Sequence, residues 1–142
     1  MKIRKAQKED INEIAKIFRK ESYKKPYNTR FTPKLAIKKI EDLFRGEIYV
    51  AEDKDNVGGF IASKITPDNK KRAYINEIWL KPEYQEKGIG KSLIKFIEKF
   101  YKKKGINSIR LVSRRSSKAF DFYKKIKYKE YKDLVFMEKK LK

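Results

Sequence analysis

Apolar residues recur along this chain at two spacings, which together predict alternating helices and strands. Recurrence every three or four residues predicts a helix over 8–23, a second that Thr32 caps and Gly46 ends, and two more over 89–104 and 116–127. Short segments rich in β-branched and aromatic residues predict the strands. The predicted strands span residues 2–5, 47–52, 57–65, 73–80, 108–113, 128–131 and 134–138.

The connections between these elements predict the fold class. Three consecutive strands, from residue 47 to residue 80, are joined by short polar turns, which favour an antiparallel meander. The helix over 89–104 then separates two strands, and such a crossover favours parallel pairing. We therefore expect an α/β (α+β) fold in a single domain over residues 1–142, with a mixed, mostly antiparallel central sheet and helices on both faces.

The residue inventory restricts the chemistry that this chain can perform. None of its 142 residues is cysteine or histidine. This excludes thiol nucleophiles, thioester intermediates, disulfides and imidazole bases. Zinc sites and histidine-based triads are excluded with them. Any catalysis must use Glu, Asp, Tyr, Lys, Ser or the backbone, and no metal is expected.

The charge balance is strongly basic, with 39 Lys and Arg against 19 Asp and Glu and a net charge of +20. Such a field attracts anions, including coenzymes, acidic peptides and nucleic acid. Because the lysines are spread over nearly every segment, a merely solvated surface explains them equally well. No segment has the roughly 20 apolar residues of a membrane span, and the first residues lack the apolar run of a signal peptide. A cytoplasmic protein without a membrane partner is the default expectation.

The segment QEKGIGKS, residues 85–92, combines two glycines with the expected start of a helix. A nucleotide-binding P-loop needs a glycine where Gln85 stands, and the dinucleotide fingerprint needs one where Leu93 stands. One alternative is that these residues form a glycine-rich turn that starts a helix and binds no ligand. The remaining interpretation is an anion site, because glycines expose the backbone N–H groups at the positive end of a helix dipole.

Two segments together resemble a known family. The segment YINEIWLKPEYQEKGIGKSL, residues 74–93, is similar to the acetyl-CoA signature of the GNAT family of N-acetyltransferases. The segment SSKAFDFYKKIKY, residues 116–128, is similar to that family's second signature, which carries an aromatic-Tyr pair on a helix. Two departures are Ser116, where Asn is usual, and Lys127, where Gly is usual. The second affects only the turn after the helix, because Lys reaches a left-handed conformation at some cost.

The resemblance implies acetyl-CoA as cosubstrate, bound between two splayed parallel strands, and direct acetyl transfer to an amine without an acyl-enzyme. It assigns the pantetheine arm to the backbone of β-strand residues and the pyrophosphate to the N–H groups of the glycine turn. The assigned coenzyme-binding residues are Ile78, Trp79, Leu80, Gln85, Glu86, Lys87, Gly88, Ile89, Gly90, Lys91, Ser116 and Tyr123.

Two residues are candidates for catalysis. Tyr123 matches the family's tyrosine, and its phenol can offer a hydrogen bond to the departing thiolate; an ordinary helix aromatic is the alternative. Glu77 is the candidate base, acting through a water, or else a solvent-facing residue that balances lysines. Strict alternation places Glu77 on one face with Ile75 and Trp79, but a β-bulge, common in this strand of the family, would change that grouping.

The acceptor and the assembly state are not determined by these patterns. The loop over 23–31 occupies the region where the family builds its acceptor pocket, and its aromatic and basic residues suit an apolar or acidic amine. A solvated connection is the alternative. Rival functions are a nucleic-acid-binding protein and an acyl-CoA-binding module without activity. Either a monomer or a homodimer is expected.

Overall fold

A five-stranded sheet forms the centre of the computed structural model, which describes residues 1–141. The strands are β1 (Lys2–Lys5), β2 (Glu47–Asp53), β3 (Asn56–Thr66), β4 (Asn69–Leu80) and β5 (Ser108–Arg110). They lie in the order β1-β2-β3-β4-β5. The first three pairings are antiparallel and the β4–β5 pairing is parallel. The mixed, mostly antiparallel sheet expected from the sequence is therefore confirmed.

Four helices accompany the sheet: α1 (Ile11–Tyr23), α2 (Pro33–Leu43), α3 (Ile89–Lys103) and α4 (Lys118–Lys125). The Thr32 hydroxyl caps α2 by accepting a hydrogen bond from the Leu35 N–H at 3.1 Å, as the sequence predicts. Helix α4 starts two residues later than expected, because the buried Ser117 and not Ser116 is its N-cap. No helix in the described part of the chain combines the length and apolar character that a membrane span requires.

The helices of the first 112 residues cover both faces of the sheet. Ile48, Val50 and Phe60 join Ile14 of α1 and Ile40 of α2 in one buried cluster. On the opposite face, the Tyr49 ring packs against Phe96 and Phe100 of α3, with centroids 4.7 and 5.7 Å away. The hydroxyls of Ser63 and Tyr101 also meet there at 2.8 Å. Alternate residues of β2 and β3 thus contact different helices, which confirms helices on both faces of the sheet.

The chain divides into two compact units, Met1–Val112 and the residues from Ser113 onward. All five strands and the first three helices belong to the first unit, and α4 belongs to the second. The expectation of one domain over residues 1–142 stays a prediction.

The two strands expected at 128–131 and 134–138 are wrong. The chain there contains turns and irregular backbone but no strand, as far as it is described. Leu134, Val135 and Phe136 are exposed, Phe136 to 96%. An apolar, β-prone segment becomes a strand only when a neighbouring backbone pairs with it and an apolar surface covers it, and local composition encodes neither condition.

The turn after α4 forms although lysine stands where the family usually has glycine. Lys127 adopts a left-handed conformation with φ of 78°. Its N–H donates to the Lys124 carbonyl at 3.0 Å, which closes the last turn of the helix. The lysine therefore takes the conformation for which glycine is usual, at a steric cost of about 1–2 kcal/mol.

Candidate active site

Strand β4 extends well beyond its parallel partner. The β4–β5 pairing comprises three residue pairs and stops at Tyr74 and Arg110. Strand β4 continues to Leu80, bonded to β3 on its other side. Within Met1–Val112, the edge of β4 from residue 75 onward consequently has no strand partner on the β5 side. Ile78, Trp79 and Leu80 lie in this part of β4. Because backbone polar groups of successive strand residues point alternately to β3 and to the open edge, only alternate residues present them at that edge. The Leu80 carbonyl also accepts a hydrogen bond from the Gln85 side chain.

A β-bulge in β4 determines which side chains share a face. Ala62 pairs with Glu77 and Ser63 pairs with Ile75, so Asn76 is the extra residue. Because residue pairs share a face, Ile75 lies with Ser63 on the α3 side, whereas Glu77 lies with Ala62 on the α1–α2 side. The grouping of Ile75 with Glu77 by strict alternation is therefore wrong, and the bulge alternative is confirmed.

The bulge directs Glu77 into a specific polar setting. The Trp79 indole N–H donates to Glu77 Oε1 at 2.7 Å, and the Lys39 Nζ of α2 lies 3.4 Å from Oε2. The Glu77 side chain is only 16% exposed. Burial raises the pKa of the nearby Tyr74, and the negative charge of Glu77 raises it further. Glu77 is thus an oriented, largely buried carboxylate.

Trp79 forms a wall beside this carboxylate. Its ring lies 6.2 Å from the Phe18 ring of α1 and 4.8 Å from the Tyr27 ring in the loop before α2, both edge-on. The indole therefore connects the core, the loop and Glu77.

The glycine turn presents a set of backbone donors at the start of α3. A short 3-10 turn, Pro82–Tyr84, follows β4; Glu86 and Gly88 then adopt left-handed conformations with φ of 60° and 82°. Gly88 is the N-cap of α3 and supplies no capping side chain. None of the N–H groups from Glu86 to Lys91 donates to an acceptor in residues 1–141. The turn therefore combines unpaired donors with the positive end of a 15-residue helix.

The same turn lacks the arrangement of a P-loop. The 3-10 turn separates it from the strand, whereas a P-loop follows its strand directly. The Ser92 hydroxyl donates to the Gly88 carbonyl at 3.1 Å, so it serves the helix itself.

The sequence patterns did not identify Glu21, which contacts the glycine turn through Gln85. The Gln85 side-chain amide donates to the Leu80 carbonyl and to Glu21 Oε1, both at 2.9 Å. Glu21, on α1, is only 7% exposed, and its Oε2 accepts from Lys24 Nζ at 2.7 Å. Gln85 therefore links the glycine turn to α1. The spacing of Glu21 from Phe18 and Ile14 could have indicated its burial, because the three residues lie on the same inner face of α1.

The second unit contains the other two predicted residues. Tyr123 lies on α4 and is 9% exposed; its ring packs against Phe122 at 5.4 Å and Tyr128 at 6.1 Å. Ser116 is exposed, just outside the helix. The neighbouring Ser117 hydroxyl accepts from the Phe120 N–H and donates to the Arg114 carbonyl.

Comparison with known proteins gives a family match. The model of the acetyltransferase (GNAT) family matches residues 10–128. A spermidine N(1)-acetyltransferase of Thermoplasma acidophilum is 46% identical over 72 residues, which are 50% of this chain and 43% of that protein. The matched stretch thus spans less than half of the relative.

Solved structures share the fold over nearly the whole chain. A possible acetyltransferase from Clostridium difficile superposes with a TM-score of 0.81 at 19% identity, covering 99% of this chain and 98% of the other. An aminoglycoside acetyltransferase from a soil metagenomic sample, in complex with sisomicin, gives a TM-score of 0.74 at 21% identity, covering 99% and 96%. At these identities the likeness concerns the fold alone.

Proposed function

We propose that this chain, which belongs to the acetyltransferase (GNAT) family, transfers an acetyl group from acetyl-CoA directly to an amine. The observation that carries the proposal is the set of six unpaired N–H groups from Glu86 to Lys91, beside the open edge of β4. A pyrophosphate matches those donors, and a pantetheine arm carries amide groups that an open strand edge can bond.

The family match supports acetyl-CoA as the cosubstrate in this site. Lys87 and Lys91 flank the two glycines and add positive charge next to the proposed pyrophosphate position. The backbone of Ile78, Trp79 and Leu80 would bond the pantetheine arm. Binding of this kind requires no metal and no side-chain carboxylate.

The transfer itself needs a proton acceptor for the amine and a donor for the departing thiolate. We assign the first role to Glu77, through a water, because it is the oriented carboxylate of β4. We assign the second to Tyr123, whose phenol hydroxyl can donate a hydrogen bond to the sulfur. A chain without cysteine or histidine fits direct transfer, since it has no thiol or imidazole to carry the acetyl group.

The names of similar proteins refer to different amine acceptors, so they do not identify one acceptor class for this chain. The curated relative is named for spermidine, and a structural neighbour binds an aminoglycoside.

The direct test is acetyl-CoA-dependent release of free thiol in the presence of an amine library, with mass spectrometry of the products. We expect thiol release that depends on the amine and yields a product 42 daltons heavier, the mass of an added acetyl group. Coenzyme binding without thiol release for any amine would instead identify a binding module that has lost transferase activity. Absence of coenzyme binding would refute the proposal.

A further inference from the structure

A basic concavity lies where α1 ends and the following loop begins. It is an open surface depression of about 550 Å³, lined by the exposed residues Tyr23, Lys24, Lys25, Asn28 and Arg30. The loop is fixed to the core by Tyr27, whose ring lies 4.8 Å from that of Trp79. Since Trp79 donates to Glu77, the concavity belongs to the same local framework as the proposed base.

The lining of this concavity has an unbalanced charge. No acidic side chain lines it. Of its three cations, only Lys24 has a carboxylate partner, because Glu21 Oε2 lies 2.7 Å from its Nζ. Neither Lys25 nor Arg30 forms an ion pair within residues 1–141. Two positive charges therefore remain uncompensated at the rim.

Arg30 is held in a definite orientation. Its Nη2 donates to the Tyr23 hydroxyl at 3.2 Å, and its guanidinium carbon lies 5.4 Å from the centre of the Tyr23 ring. A guanidinium fixed in this way keeps its remaining N–H donors available for a planar carboxylate, and less side-chain entropy is lost on binding.

We propose that this concavity binds an anionic group of the acetyl acceptor, so that the acceptor is an amine that also carries a carboxylate. The inference rests on the proposed transferase function and specifies its substrate class. Free acidic amino acids and acidic peptides share this chemistry. A polyamine has the opposite character, because each of its ammonium groups is repelled by Lys25 and Arg30.

Binding is measured by the fluorescence of Trp79, the only tryptophan, because the loop that lines the concavity packs on it. The probes are free glutamate, a C-terminally amidated tripeptide with two glutamates, the same amidated tripeptide with two glutamines, which has no carboxylate, and spermidine. We expect the glutamate tripeptide to bind at least roughly tenfold more tightly than the glutamine tripeptide, and spermidine to bind most weakly. The free amino acid and the peptide distinguish the two sources of the carboxylate.

The test variant carries two substitutions, Lys25→Gln and Arg30→Gln. The control variant carries Lys102→Gln and Lys70→Gln, at exposed positions of α3 and β4 respectively. Both pairs remove two charges. We expect only the first pair to abolish the preference for the glutamate tripeptide, in binding and in the specificity ratio of acetyl transfer. Equal affinity for both tripeptides, or an equal loss in both pairs of variants, would overturn the inference. Failure of acetyl transfer alone would count against the proposed function, because the binding assay does not depend on it.

Discussion

At the scale of single residues, the site depends on a few side chains whose neighbours fix them. Glu77 is oriented by the Trp79 indole and by Lys39. The sequence identifies Glu77 as a carboxylate in the strand before the glycine turn. The alternation of apolar and polar residues does not locate the bulge at Asn76, because an extra residue leaves no mark on it; only the family resemblance offered a bulge as an alternative. Nor does the sequence reveal Glu21, because a buried carboxylate is recognisable only from the partners that satisfy it.

Replacing Glu77 with Gln tests its role as the base. The amide oxygen can still accept from Trp79, but the side chain can no longer take up a proton. We expect the turnover number to fall by about two orders of magnitude and the acidic limb of the pH–rate profile to disappear. Glu41→Gln, on the exposed surface of α2, is the control and should leave both unchanged. A Glu77→Gln enzyme with the unaltered pH profile would assign the proton transfer to another group or to water.

Replacing Tyr123 with Phe removes one hydroxyl and retains the ring that packs against Phe122 and Tyr128. If the phenol donates to the departing thiolate, the turnover number should fall by one to three orders of magnitude, with little change in the affinity for coenzyme A. Tyr131→Phe, at a position 61% exposed, is the control. Steady-state kinetics together with calorimetric titration of the coenzyme separate the two quantities. Undiminished turnover in Tyr123→Phe would rule out the role.

At the scale of elements, the amphipathic helices and strands β2, β3 and β4 were predictable because each has buried apolar positions that its own sequence marks. Strands 128–131 and 134–138 were predicted on the same grounds and are absent, because pairing is decided outside the segment. The glycine turn was likewise only partly predictable from its own sequence. Gly88 was identified from spacing, but its left-handed conformation and the unpaired N–H groups required the structure.

Two glycines at opposite ends of α3 provide a matched pair for testing the turn. Gly88 and Gly105 have φ of 82° and 81°, and a β-carbon at either would meet nothing within 4 Å. Alanine should therefore cost each variant a similar stability, about 1–2 kcal/mol. Only Gly88→Ala shifts the backbone donors at the helix start, so we expect it to weaken coenzyme binding by at least roughly tenfold. Equal affinities in the two variants would contradict the role of the turn.

The junction between β1 and α1 predicts a pH dependence of stability. Two hydrogen bonds from Arg4, at 2.8 and 2.9 Å, and one from the Gln7 N–H lower the pKa of Asp10 from its usual 3.8. A lowered pKa in the folded state contributes stability above the unfolded pKa, and that stability is lost as the pH falls through the folded pKa.

Asp10→Asn should therefore reduce the free energy of unfolding by about 2 kcal/mol at pH 7, and by progressively less as the pH falls below the unfolded value of 3.8. Urea unfolding at several pH values measures the difference. Asp55→Asn, in the exposed turn between β2 and β3, is the control and should show no such pH dependence. A constant difference between Asp10→Asn and the unchanged protein from pH 7 to pH 3 would contradict this assignment.

At the scale of the whole molecule, the net charge of +20 supports the acquisition of an anionic coenzyme and also permits binding of nucleic acid. Charge alone cannot distinguish these functions, because lysines occur in nearly every segment. The family match over residues 10–128 and the donors of the glycine turn favour the coenzyme. Nucleic-acid binding stays a prediction, and a steep fall of affinity with salt would be its signature.

The central claim is that the N–H groups from Glu86 to Lys91 hold the pyrophosphate of coenzyme A beside the open edge of β4. Amide chemical shifts recorded by NMR during titration with acetyl-CoA test it most directly. If the pyrophosphate binds there, we expect the largest shifts on residues 86–91, followed by Ile78, Trp79 and Leu80. Small shifts scattered over exposed lysines, with residues 86–91 unmoved, would contradict it.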